Sequence, residues 1–250
     1  MARIGFPRRA PVARPRAKAA GDSFTLDLAG FDVPLRVVRN RRARRIVLSI
    51  DPERAGAVVT LPRGVPAKEG IALAREQAGW IIGRLKELPP RVAFADGAVV
   101  PLLGEDHVVR HRPESRRGVW REGPVINVSG RAEHLARRLE DWLTALARRE
   151  VSARAHALAS ELGKRPLRIA LRDTRSLWGS CSPEGRLSFS WRLVMAPAAV
   201  LDYVVAHEIA HLEVKNHGRR FWALVERLSP GFASARAWLR CNGARLHRYG

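Results

Sequence analysis

Hydrophobic positions along this chain follow two spacings. Where apolar side chains recur every second residue a half-buried strand is expected, and where they recur every third or fourth a helix. Val33–Val38, Ile46–Ile50 and Ala57–Leu61 have strand character, and the turn residues between the last two make them a hairpin. The stripe Ile71, Ala74, Ala78, Ile81, Ile82 and Leu85 predicts one helix from Pro66 to Leu88, stopped by Pro89 and Pro90. Short strands follow at Ala98–Leu103, His107–His111 and Val125–Val128. His107 and His111 then share one exposed strand face and make poor metal ligands.

Arg131–Leu162 predicts a long helix, possible with one break, on the stripe Leu135, Leu139, Trp142, Leu143, Leu146 and Val151. Gly163 ends it. Leu167–Leu171 alternates as a strand, and Asp173–Ser182 is expected to be a polar loop. Arg186–Leu193 alternates again, with Leu187, Phe189, Trp191 and Leu193 on one face and Ser188, Ser190 and Arg192 on the other. Helices are expected from Pro197, from Gly218, and from about Ala233 to Leu246. The pattern predicts an α+β chain in three parts. These are a disordered basic tail over 1–22, an N-terminal β-rich subdomain with one helix over 23–128, and a carboxy-terminal subdomain over 129–250.

The helix from Pro197 runs into Ala206–Trp222, AHEIAHLEVKNHGRRFW, and there the pattern acquires chemistry. His207 and His211 are four residues apart, one turn apart on one helix face. Two imidazoles so placed can share one metal ion at about 2.0–2.1 Å each. Glu208 lies one step round the helix, where a general base for a metal-activated water belongs. His217 can supply a third ligand if the helix ends after His211 and the chain turns back. Three protein ligands leave one position open, the mark of a catalytic zinc site. With 8 His and 24 Asp+Glu in 250 residues, chance alone yields roughly 0.02 such motifs. The rival reading is an amphipathic core helix with two exposed histidines.

Charge adds a second theme. Lys+Arg number 45 against 24 Asp+Glu, a formal +21. Residues 1–50 hold 12 basic and 3 acidic groups, and residues 165–250 hold 14 and 6. The surplus is therefore greatest at the two ends, one of which carries the candidate site. Arg39–Arg45 is a dense basic run. A polyanion partner or an anionic substrate would use such charge, and a GC-rich genome would also produce it. Aromatics are not interleaved with the basic runs, which disfavours base stacking. Cys181 and Cys241 make no disulfide framework. No apolar run reaches membrane-spanning length, and the first residues lack the apolar core of a secretory signal. A cytoplasmic location is expected.

The segment from Arg172 to Phe232 resembles the YgjP-like metallopeptidase family, bacterial zincin-type proteins related to the SprT group. The matching elements are W-G-S-C-S (Trp178–Ser182), W-R-L (Trp191–Leu193), and D-Y-V-V-x-H-E-x-x-H with N-H and F-W downstream. The arginine-rich strand, the P-R-G turn (Pro62–Gly64) and the helix ending W-I-x-x-R-L extend the likeness to about residues 36–247. The chain departs from the family at Leu177, Ser190 and Gly218–Arg219. The resemblance implies one zinc ion on His207, His211 and His217, Glu208 as catalytic acid/base, and a peptide or protein substrate. It implies a zincin-like catalytic subdomain, with the active helix beside a short sheet. In zincins a strand beside that helix offers its edge to an extended substrate, and Arg186–Leu193 is the candidate. Arg175, Trp178, Ser190 and Arg192 are candidate substrate contacts, with Arg175 or Arg192 as oxyanion stabiliser or merely surface charge. Val214 stands where a metzincin would have glycine, against that branch. Two other functions stay open: a metal-dependent hydrolase of an anionic small molecule such as a nucleoside triphosphate, and a nucleic-acid-associated protein with a DNA-targeted or vestigial site.

Overall fold

The structure, a computed structural model, describes residues 3–4, 22–52, 54–174 and 177–250. Helices and sheets mix in an α+β arrangement, and the chain divides into two compact units at Pro90/Arg91. Strand β1 (Arg3–Ile4) belongs to the carboxy-terminal unit. Apart from Arg3, Ile4 and Asp22, the expected basic tail lies outside the described residues.

The amino-terminal unit has strands β2 (Asp22–Leu28), β3 (Phe31–Arg39), β4 (Val47–Asp51) and β5 (Gly56–Leu61). They form one sheet in the order β2-β3-β5-β4, with β3 and β5 parallel. The hairpin read from the alternation is the antiparallel β4–β5 pair. The single helix expected over Pro66–Leu88 is two, α1 (Ala67–Glu76) and α2 (Ala78–Lys86), because Gln77 leaves the helical region at φ −94°, ψ 21°. A periodic stripe does not register the turn of one residue. Helix α1 lies close on the sheet: a Cβ on Gly70 would stand 2.6 Å from Val59 Cγ1. Leu35, Val59, Leu61, Ala74 and Ile81 form the core between sheet and helices.

The carboxy-terminal unit begins with β6 (Val99–Leu102), β7 (Glu105–Arg112), β8 (Val119–Glu122) and β9 (Val125–Ser129), paired in the order β6-β7-β9-β8. This sheet was expected with the amino-terminal region. Val100, Val109, Ile126 and Val128 are instead fully buried in one cluster with Leu135, Leu139 and Leu143 of α3 (Leu135–Glu161). A shared core of this kind draws the unit boundary 38 residues earlier than residue 128. The inward face of β7 also carries His107, only 1% exposed, whose Nδ1–H donates to the Glu105 carbonyl. His111 bonds the Gly130 carbonyl. Neither histidine presents the exposed face that the alternation suggested.

Helix α3 is unbroken and buries every fourth residue from Leu135 to Ala159. Each leucine of that stripe contributes about 1.5–3 kcal/mol by leaving water, and its alanines let neighbours approach. The second sheet joins β10 (Arg168–Arg172), β11 (Gly179–Cys181) and β12 (Arg186–Ser190) in the order β1-β11-β12-β10. Strand β12 pairs with β10 on one side and β11 on the other. It therefore has no free edge for a substrate, a correction to the sequence reading. Strand β11 is likewise paired on both sides, with β12 and, antiparallel, with β1. Three helices complete the unit: α4 (Ala198–Ala210), α5 (Arg219–Leu228) and α6 (Phe232–Leu246). No helix among the described residues is long and apolar enough to cross a membrane.

Candidate metal centre

Helix α4 is apolar on nearly every side, and all residues from Tyr203 to Ala210 are buried. Such a helix belongs in the middle of a core. His207, Glu208 and His211 are 2%, 0% and 2% exposed, so the rival reading of two solvated histidines fails. The helix stops at Ala210 with His211 as its C-terminal cap. The Val214 N–H bonds back to the Ala210 carbonyl, and the chain then returns to α5, whose N-cap is Gly218. That reversal brings His217 back onto His207.

One ligating nitrogen from each of His207, His211 and His217 lies within 4.8 Å of the other two. The rings meet at centroid distances of 5.0, 4.9 and 5.0 Å. His207 Nε2 and His217 Nε2 are 3.0 Å apart. Two nitrogens held tetrahedrally at about 2.0–2.1 Å from one ion are about 3.3–3.4 Å apart, so the pair needs little adjustment. His211 Nδ1 is 2.9 Å from the Val214 carbonyl. A carbonyl only accepts, so Nδ1 carries the proton and Nε2 keeps a bare lone pair. That buried Nε2 finds no hydrogen-bond partner among the described residues. An unmet buried acceptor costs about 1–3 kcal/mol, and a cation among the three rings would remove that cost. The donor set fits a divalent metal.

Burial sets the charge state. It holds the His207 imidazole well below its ordinary value, with smaller contributions from His211, His217 and Arg236. Burial likewise pulls His211 down to about 4, opposed by its bond to the Val214 carbonyl and assisted by His217. Both rings are neutral at pH 7, as ligands must be. Phe221 stacks on His211 at 4.3 Å and meets His207 and His217 edge-on, forming an apolar floor. Trp222 lies 5.7 Å from the rings of both His207 and His217.

Glu208 occupies a slot that the sequence did not announce. A Cβ on Gly179 would stand 2.6 Å from both Cγ and Oε1 of Glu208, and 2.9 Å from Cδ. Gly179 is a strand residue outside the positive-φ set, so close approach is what requires the glycine. The glycine of W-G-S-C-S thus opens room for the glutamate of H-E-x-x-H. The negative Glu208 also adds to the burial that pushes the Cys181 thiol up to about 11.

The proposed substrate contacts fare differently. Arg175 lies outside the described residues. Trp178 is 3% exposed and stacks on His247 at 4.7 Å. Ser190 is fully buried. Arg192 is interior too, donating to Asp173 Oδ1 at 2.9 Å and to the carbonyls of Leu246 and Tyr249 at 3.2 and 2.6 Å. It ties down the end of α6, because β12 stops at Ser190 and a 3-10 turn over Trp191–Met195 swings it inward. Trp178, Ser190 and Arg192 are thus buried in the framework around the site. What surrounds the three histidines is instead Phe221, Trp222 and, over Trp222, Arg236. Phe221–Trp222 entered the sequence reading as the F-W of the family likeness; Arg236 gave no signal.

Comparison with known proteins bears on this arrangement. None of the curated proteins matches. The metallopeptidase zymogen abylysin of Pyrococcus abyssi is a solved structure similar over 37% of this chain and 92% of its own, at 22% identity and a TM-score of 0.32. Nothing about the site rests on that slight likeness. The model of the YgjP-like metallopeptidase domain matches residues 44–242, a span that takes in all three histidines and Glu208. By that match the chain belongs to the YgjP-like metallopeptidase family, a family of metal-dependent hydrolases.

Proposed function

We propose that this metallopeptidase holds one zinc ion on Nε2 of His207, His211 and His217 and uses Glu208 as its general base. The carrying observation is the convergence of three imidazoles within 4.8 Å. The Val214 carbonyl supports it by fixing the tautomer of His211. A bound zinc ion supplies Lewis acidity, polarising the substrate carbonyl and lowering the pKa of water.

The chain's own residues do the rest. The Glu208 carboxylate takes a proton from the attacking water and passes it to the leaving amine nitrogen. The Gly179 slot holds that carboxylate in one place. Phe221 keeps bulk water off the back of the imidazoles. An extended peptide that displaces Arg3–Ile4 can pair antiparallel with β11 in its place.

The test is metal analysis of the purified chain, followed by hydrolysis of unfolded casein and of nucleoside triphosphates by wild type and Glu208→Gln. One equivalent of zinc, with casein cleavage lost in the variant, is the expected result. Casein cleavage that survives Glu208→Gln removes Glu208 as the base. Nucleotide turnover without casein cleavage removes the peptidase reading. Full zinc content in His217→Ala removes His217 as a ligand.

A further inference from the structure

Arg236 is the arginine that the rings bring nearest to the three histidines through Trp222. Arg192 is buried and committed to Asp173 and two carbonyls. Arg154 is held by Asp202 and Glu150, and Arg220 by Glu213. Arg236 is exposed on the second turn of α6, and among the described residues no carboxylate pairs with it. Its guanidinium carbon lies 4.7 Å over the Trp222 ring. Trp222 is fixed in turn: it stacks on Phe232 at 5.3 Å and on His217 at 5.7 Å, with interplanar angles of 13° and 27°. Phe232 stacks on Tyr203 of α4. The cation therefore rides on a braced aromatic platform whose other contacts are the metal-binding rings. From Arg236 to either of those rings is about 10 Å or less, a distance that about three extended residues span at ~3.3–3.6 Å each.

We propose that Arg236 forms a substrate subsite for a carboxylate of the peptide, within about three residues of the bond cleaved. The inference rests on the peptidase reading above. A guanidinium presents a flat fork of donors matched to a carboxylate, and the Trp222 face holds it without consuming those donors. The alternative role is an arginine that merely shields Trp222 from water. The carboxylate has two possible sources, an Asp or Glu side chain and a free peptide carboxy terminus.

The experiment takes a casein-derived peptide cut by the zinc-loaded chain and places Glu or Gln at each of the three positions on either side of the cleaved bond. Each peptide is made with a free and an amidated carboxy terminus. The ratio of kcat/KM for carboxylate over amide is measured for wild type, Arg236→Gln and Arg236→Lys. Binding of the same peptides to Glu208→Gln, with and without Arg236→Gln, is measured by calorimetry. Wild type is expected to favour the carboxylate about 10–100-fold at one position. Arg236→Gln should bring that ratio near one, and Arg236→Lys should restore part of it. A preference confined to the free terminus assigns the subsite to the chain end, and one that moves with Glu assigns it to a side chain. No carboxylate preference in wild type, or the same preference in Arg236→Gln, overturns the proposal. If no casein peptide is cut but binding still discriminates through Arg236, the peptidase reading fails and the subsite stands.

Discussion

Helices α3 and α4 share one core and solve opposite problems. Helix α3 buries a stripe at every fourth residue and turns Arg137, Asp141 and Arg148 to solvent. Helix α4 buries everything from Tyr203 to Ala210. A stripe suffices to hold a helix on a core, so α3 is explained by stability alone. Burying two imidazoles and a carboxylate in α4 works against stability unless each finds a partner. Polar groups kept in the driest part of a protein signal function, and here they converge on one point.

The sharpest test of that contrast separates chemistry from folding. Glu208→Gln should lower peptide hydrolysis about 10²–10⁴-fold while the thermal midpoint stays near wild type, read by calorimetry beside a casein assay. Leu143→Ala in α3 should do the reverse, costing about 2–5 kcal/mol in urea denaturation with little change in kcat per folded molecule. If Leu143→Ala instead abolishes kcat at full folding, the two helices are not separable.

Acid should act on α4 through its imidazoles. His211 titrates near 4 in the folded chain, against an ordinary 6.5. Between those values the unfolded chain binds more protons, so stability is full above about pH 6.5 and declines as pH falls toward 4. For His211 alone the loss is on the order of 3 kcal/mol in metal-free protein, and His207 shifts in the same direction. Urea midpoints that stay flat from pH 7 to 4 would contradict the burial argument.

Gly179→Ala should cost about 1–3 kcal/mol by overpacking and reduce kcat by displacing Glu208. Combined with Glu208→Ala, its stability cost should vanish, because the group it strikes is gone. Additive costs would mean that the slot is not shaped around Glu208. The smallest effect belongs to the bridge between the helices. Arg154 meets Asp202 of α4 and Glu150 of its own helix, with side chains 25%, 48% and 22% exposed. Arg154→Ala should cost no more than about 1 kcal/mol.

What was legible along the chain followed from locality. The four-residue spacing of His207 and His211 is set within one helix, and the α3 stripe and the β4–β5 hairpin obey periods of 3.6 and 2. Local pattern failed where a period changed within a few residues. Arg192 sat on the polar face of an alternating strand, until a 3-10 turn at Trp191 rotated it onto the end of α6. Strand β11 is three residues long, too short to show a period inside a polar loop. The edge role given to Arg186–Leu193 failed because alternation reveals the faces of a strand but not its neighbours.

By itself, then, the sequence determined the donor types, their spacing on α4 and the α+β pattern, because helix and strand periods are written in neighbouring residues. The tertiary structure alone decided which groups meet. It set Glu208 against Gly179, returned His217 to His207, withdrew Trp178, Ser190 and Arg192 into the framework, and seated Arg236 on Trp222. These contacts join residues from 10 to more than 50 positions apart, and packing between elements rather than periodicity within them selects such pairs.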